Sequence, residues 1–85
     1  MHYQIELKRK AIKDLKTIPL KERKNLLERI GALEFDLAGD VKKLTNFTPE
    51  YRMRSGQWRV LFEIVDNSVI IYRVLHRRDA YRSSK

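Results

Sequence analysis

A chain of 85 residues with 19 lysines and arginines against 11 acidic residues carries a formal charge of +8, and 42% of it is hydrophobic. That is enough apolar material for one small core, burying roughly 60–65% of the unfolded chain's surface, and too much for a disordered basic tail. The absence of cysteine excludes disulfides, thiolate nucleophiles and cysteine zinc sites, and no apolar run approaches the roughly 20 residues of a membrane span.

The first residues have neither the apolar core nor the cleavage pattern of a signal peptide. The expectation is therefore one domain over residues 1–85, in the cytoplasm, away from membranes, with an anionic partner. Charge is unevenly spread. Residues 1–50 hold 11 basic and 8 acidic side chains, whereas residues 51–85 hold 8 and 3, and seven of those eight are arginines. Arginine's rigid fork of donors matches phosphate geometry and stays ionised, so the second half reads as the binding half.

In chain order, residues 2–7 alternate Tyr3, Ile5 and Leu7 on one face and predict a strand. Residues 8–17 carry Ala11, Ile12 and Leu15 at helical spacing among lysines, and Pro19 ends this helix or opens the next. Across residues 20–37, Leu26, Leu27, Ile30, Leu33 and Leu37 form an amphipathic stripe interrupted by Gly31. Two helices joined by a short turn make an αα-hairpin. Residues 41–49 read as a loop anchored by Leu44 and Phe47.

The period then changes to two. Tyr51 and Met53 oppose Arg52 and Arg54, Ser55 and Gly56 turn the chain, and Trp58, Val60, Phe62 and Ile64 alternate against Arg59 and Leu61. Asp66 and Asn67 turn it again before an apolar run over residues 68–75. The predicted fold is α+β: an N-terminal strand, the αα-hairpin, then a three-stranded antiparallel meander, with the first strand at an edge or beside the last and the helices over one face.

Arg52 and Arg54 share the face of their strand, roughly 6–7 Å apart. With Arg59 and Arg73 they form either a solubilised open face or a rigid phosphodiester platform. The second reading gains from residues 76–82, where His76, Arg77, Arg78, Tyr81 and Arg82 gather groups that move protons or hold phosphate. Trp58 shares its face with Val60 and Phe62 and reads as core rather than as a base-stacking platform. The two histidines are His2 and His76, and neither belongs to a metal-ligand spacing. The expected chemistry needs no cofactor and no metal: phosphate binding, or RNA cleavage in which the adjacent 2′-hydroxyl attacks phosphorus.

Residues 51–81, YRMRSGQWRVLFEIVDNSVIIYRVLHRRDAY, resemble the C-terminal half of the RelE/ParE superfamily of bacterial type II toxin–antitoxin toxins, closest to its RelE-like branch. The preceding strand, helices and the segment with Lys42, Lys43 and Leu44 fit the same family. The resemblance implies a microbial-RNase-like sheet and metal-free cleavage of messenger RNA in the ribosomal A site. Its partners would be a cognate antitoxin and the mRNA-bearing ribosome, and the isolated toxin would be a monomer.

Residue by residue, the resemblance puts Arg52 and Arg54 where that branch has two basic residues, and Arg59 on an arginine that holds the scissile phosphate. Arg77, or Arg78 if the two-residue length difference falls the other way, matches one that meets transition-state charge or protonates the leaving group. Tyr81 matches a tyrosine that stacks on or orients the nucleotide. Arg54 replaces a lysine, and an arginine, which keeps its proton near neutrality, is a poor base, so proton removal would fall to water or His76. Arg73, Arg78, Arg82, Lys42 and Lys43 complete the expected RNA-binding set. Two rivals are a ParE-like inhibitor of DNA gyrase and a non-catalytic basic domain that binds RNA or antitoxin.

Overall fold

Five strands and two helices are seen in the computed structural model, which describes residues 3–35, 41–44 and 48–80. They run β1 (Gln4–Leu7), α1 (Arg9–Lys16), α2 (Leu20–Ala32), β2 (Val41–Lys43), β3 (Tyr51–Ser55), β4 (Trp58–Val65) and β5 (Ser68–His76). The expected α+β order holds, with one strand more than the sequence predicts. β2 lies inside the expected loop and pairs antiparallel with β3. Three residues are too few to carry a periodic signal, and the strand exists because β3 presents an open edge to it.

The sheet order is β1-β5-β4-β3-β2. β1 is at the edge and parallel to β5, while β3, β4 and β5 form the predicted meander. Alternation on β4 points Trp58, Val60, Phe62 and Ile64 at one face, where Ala11, Leu15, Ile18, Leu26, Ile30 and Leu33 meet them. Phe62, Leu26 and Leu33 are fully buried, each contributing roughly 1.5–3 kcal/mol through burial of its side chain.

The second helix is shorter than its stripe suggests. After Ala32 the amides of Leu33, Glu34 and Phe35 each bond the carbonyl three residues back, and the Glu34 carbonyl accepts from Tyr3 N–H instead of continuing a helix. Leu27, expected in the buried stripe, is 44% exposed beside it. Leu37 and Phe47 lie outside the described residues.

β5 carries a bulge. Leu61 pairs with Arg73 but Phe62 pairs with Ile71, so Tyr72 is an extra residue with no partner on β4. The core spacing on β5 accordingly changes from two (Val69, Ile71) to three (Ile71, Val74).

Candidate functional site

The face of the sheet away from the core is built by the period of two. Tyr51 and Met53 pack on the core, which turns Arg52 and Arg54 to the other side of β3. Register then places Lys42, Arg52 and Leu61 in one cross-strand row and Arg54, Arg59 and Leu75 in the next. Neighbouring strands are about 4.8 Å apart, so three arginines rise from adjoining positions of one rigid sheet.

An apolar floor underlies them. Leu61, Leu75 and Ala80 form a second buried cluster, separate from the main core, with Ala80 fully buried. The turn after β5 therefore folds back over this face. It is fixed by Asp79 N–H and Ala80 N–H, which both donate to the His76 carbonyl, and by Arg77 N–H, which donates to the Gln57 carbonyl at 2.7 Å. Arg77 and Arg78 are exposed on this turn.

Arg59 is held from behind: its Nη1 donates to the carbonyls of Gly56 and Trp58, both at 2.9 Å. That grip depends on Gly56, whose φ of +59° is a left-handed conformation that L residues adopt only under strain. Arg29 of α2 donates to the Arg54 carbonyl at 3.3 Å and ties β3 to the helix layer. Arg52 Nε is buried without a hydrogen-bond partner among the described residues, so one guanidinium donor already stands desolvated at the foot of the patch.

Three expected members of the set are placed elsewhere. His76 pairs with Trp58, on the helix-covered side, with its ring edge-on to the indole at 5.5 Å. Its Nδ1 accepts from Arg78 N–H and its Nε2 meets Gln57 Oε1 at 2.9 Å. His76 thus lies across the sheet from the arginines with which the sequence groups it, because the bulge reverses the alternation of β5 before residue 76 is reached.

Arg73 is likewise not a free member of the platform. Its Nε and Nη2 donate to the two carboxylate oxygens of Asp14 at 2.8 and 3.1 Å, and the guanidinium pKa is raised, first by this hydrogen bond and then by the carboxylate's charge, against the cost of burial. A raised arginine pKa means that its share of stability is complete below the ordinary arginine value and fades only as pH climbs through the higher folded value. The pair is therefore insensitive to pH on the arginine's side throughout the neutral range.

Lys43, opposite Tyr51, has the opposite strand parity from Lys42, opposite Arg52, so only Lys42 joins the arginine face. Tyr81 and Arg82 lie outside the described residues. Trp58 packs against the core as expected and donates its Nε1–H to Glu22 at 3.1 Å. A cleft of about 400 Å³ beside it, lined by Glu22, Asn25, Arg29, Gly56 and Trp58 among others, belongs to the helix side and carries both signs of charge. Sequence reasoning missed Asp14 and Ala80. The one signal for Asp14 was its standing as the sole acid in RKAIKDLK.

The arrangement offers fixed cations, an apolar floor and, among the described residues, no acid at the paired positions of its two central rows, which suits a polyanion with flat, partly apolar units. A family model described as the ParE toxin of type II toxin-antitoxin system, parDE, matches residues 5–81. Toxin RelE3 of Methanocaldococcus jannaschii is 34% identical over 76 residues, which cover 82% of this chain and 85% of that protein. Among solved structures, the toxin-antitoxin complex RelBE2 from Mycobacterium tuberculosis matches with 27% identity and a TM-score of 0.79, covering 91% of this chain and 100% of the other. The archaeal RelE-RelB complex from Pyrococcus horikoshii OT3 matches with 27% identity and a TM-score of 0.76, covering 94% and 100%.

Proposed function

This chain belongs to the RelE/ParE superfamily of type II toxin–antitoxin toxins, and we propose that it is a messenger-RNA-cleaving toxin acting in the ribosomal A site and held in check by a cognate antitoxin. The observation that carries this reading is the convergence of Arg52, Arg54 and Arg59 on one sheet face, beneath a turn bearing Arg77.

Cleavage would proceed by attack of the 2′-oxygen on the adjacent phosphorus while the bond to the 5′-oxygen breaks, leaving a 2′,3′-cyclic phosphate and a 5′-hydroxyl. Arg59, oriented by two carbonyls, would hold the nonbridging oxygens, and Arg52 would lower the cost of the charge that builds there. Arg77 would offset the charge on the leaving 5′-oxygen, which takes its proton from water. Arg54 acts electrostatically, since a guanidinium does not release its proton near neutrality. The 2′-proton goes to water, as His76 belongs to the opposite side of the sheet. Tyr81 follows Ala80 directly in sequence and would orient the nucleotide.

The antitoxin partner is supported by the solved relatives, which are toxin-antitoxin complexes. A second reading, gyrase inhibition, is favoured by the family model, whose description is that of ParE. The deciding experiment maps 5′ ends on messenger RNA in stalled ribosomes, with naked RNA as control and Arg59→Ala and Arg77→Ala alongside. Cuts confined to the A-site codon and lost in both variants support the nuclease. A folded protein that makes no cut but stops gyrase supercoiling supports the alternative.

A further inference from the structure

Parallel pairing along β1 ends at Leu7 opposite Ile71, where Lys8 N–H donates to the Ile71 carbonyl. Beyond that point the outer edge of β5 has lost its neighbouring strand, and this is also where Tyr72 bulges. An edge amide left bare at a bulge is a place where a strand frays. Asp14, on α1, fills it: one carboxylate oxygen accepts the Val74 N–H at 3.0 Å while the two oxygens together take the Arg73 guanidinium. The carboxylate is thus clipped to both residues that follow the extra one.

The bulge decides which side chains face the arginine patch. It puts Val74 into the core and Leu75 into the floor under Ala80, and it sets where the turn carrying Arg77 leaves the sheet. A residue that fixes the bulge therefore fixes the Arg77 end of the site, although it touches none of it. We propose that Asp14 is a positioning residue, which pins the Tyr72 bulge through the Val74 amide and so seats the Leu75–Ala80 contact and Arg77 on the arginine face. The consequence for turnover rests on the nuclease reading above; the clip itself does not.

The test compares Asp14→Ala with Arg73→Gln, which removes the ion pair but leaves the carboxylate for Val74. Amide exchange of the isolated protein by NMR should show Val74 exchanging about tenfold faster or more in Asp14→Ala, with the Val60 and Phe62 amides of β4 still protected. In the ribosome assay, Asp14→Ala should lower kcat by about tenfold or more with KM within about twofold, since misplacement of a group by less than 1 Å weakens chemistry more than binding. Arg73→Gln should show the smaller effect in both assays. Equal losses in the two variants would reduce Asp14 to an ion-pair partner, and an unchanged Val74 exchange rate in Asp14→Ala would overturn the clip. If wild type does not cut, the nuclease reading fails while Val74 exchange still decides whether Asp14 holds the bulge. Should Asp14→Ala not fold, Asp14→Asn, which can accept from Val74 but cannot take both guanidinium donors, must then retain Val74 protection.

Discussion

Arg54 on β3 stands directly opposite Arg59 on β4. The nearest cross-strand positions on that face are held by Arg52, Leu61 and Leu75 rather than by an acid. Like charges facing each other across a ladder are destabilising, by up to roughly 1 kcal/mol, and an anionic ligand bridging the pair would offset that repulsion. Arg54→Gln removes that repulsion together with the contacts Arg54 itself makes, so it should change stability by no more than about 1 kcal/mol, or several °C in Tm for a domain of this size, while lowering cleavage by about tenfold or more. Thermal unfolding and end mapping on the same preparation check this. A fall in Tm larger than that would mean that Arg54 is structural.

Salt dependence tests which basic residues meet phosphate. If Arg52, Arg54 and Arg59 each contact one, log affinity for a short single-stranded RNA should fall against log salt with a slope of about −2, by about 0.7 per contact. Replacing Arg59 by Gln should reduce the slope by about 0.7, and Arg73→Gln should leave it as it is, because Asp14 occupies that guanidinium. A slope change with Arg73→Gln would return Arg73 to the binding face.

His76 provides a sharper contrast between sequence and structure. Its place beside two arginines suggests a proton carrier, yet it packs edge-on against Trp58 and bonds Gln57 and the Arg78 amide. His76→Gln should retain turnover within about threefold, and the pH–rate profile should keep the shape of wild type. Loss of one limb of that profile would show His76 moving a proton after all.

The faces of β3 and β4 were legible because each alternates without interruption, from Tyr51 to Arg54 and from Trp58 to Ile64. The side taken by His76 was not, since one unpaired residue at Tyr72 inverts everything after it and leaves no mark in an apolar run. The Arg73–Asp14 pair joins residues far apart in the chain, and local periodicity is silent on such contacts. β2 is decided by the edge of β3 rather than by its own three residues. The family resemblance singles out the arginines as a group, but it cannot say which guanidinium the fold has already engaged.

Ala80 tests whether the apolar floor positions the turn. It is fully buried against Leu61 and Leu75, on the side of the sheet away from the main core, so a larger side chain there can be accommodated by lifting the turn. Ala80→Leu overpacks the contact, at about 1–3 kcal/mol if the turn stayed in place. Release of the turn is the cheaper response, because the segment is held by a few backbone bonds to His76 and Gln57. The variant should keep wild-type Trp58 fluorescence and lose less than about 1 kcal/mol of global stability. Its cleavage should fall by about tenfold or more, because Arg77 moves with the turn. A variant that unfolds early instead would show the Leu61–Leu75–Ala80 contact to be part of the folding core, and a variant with full activity would show that Arg77 acts without it.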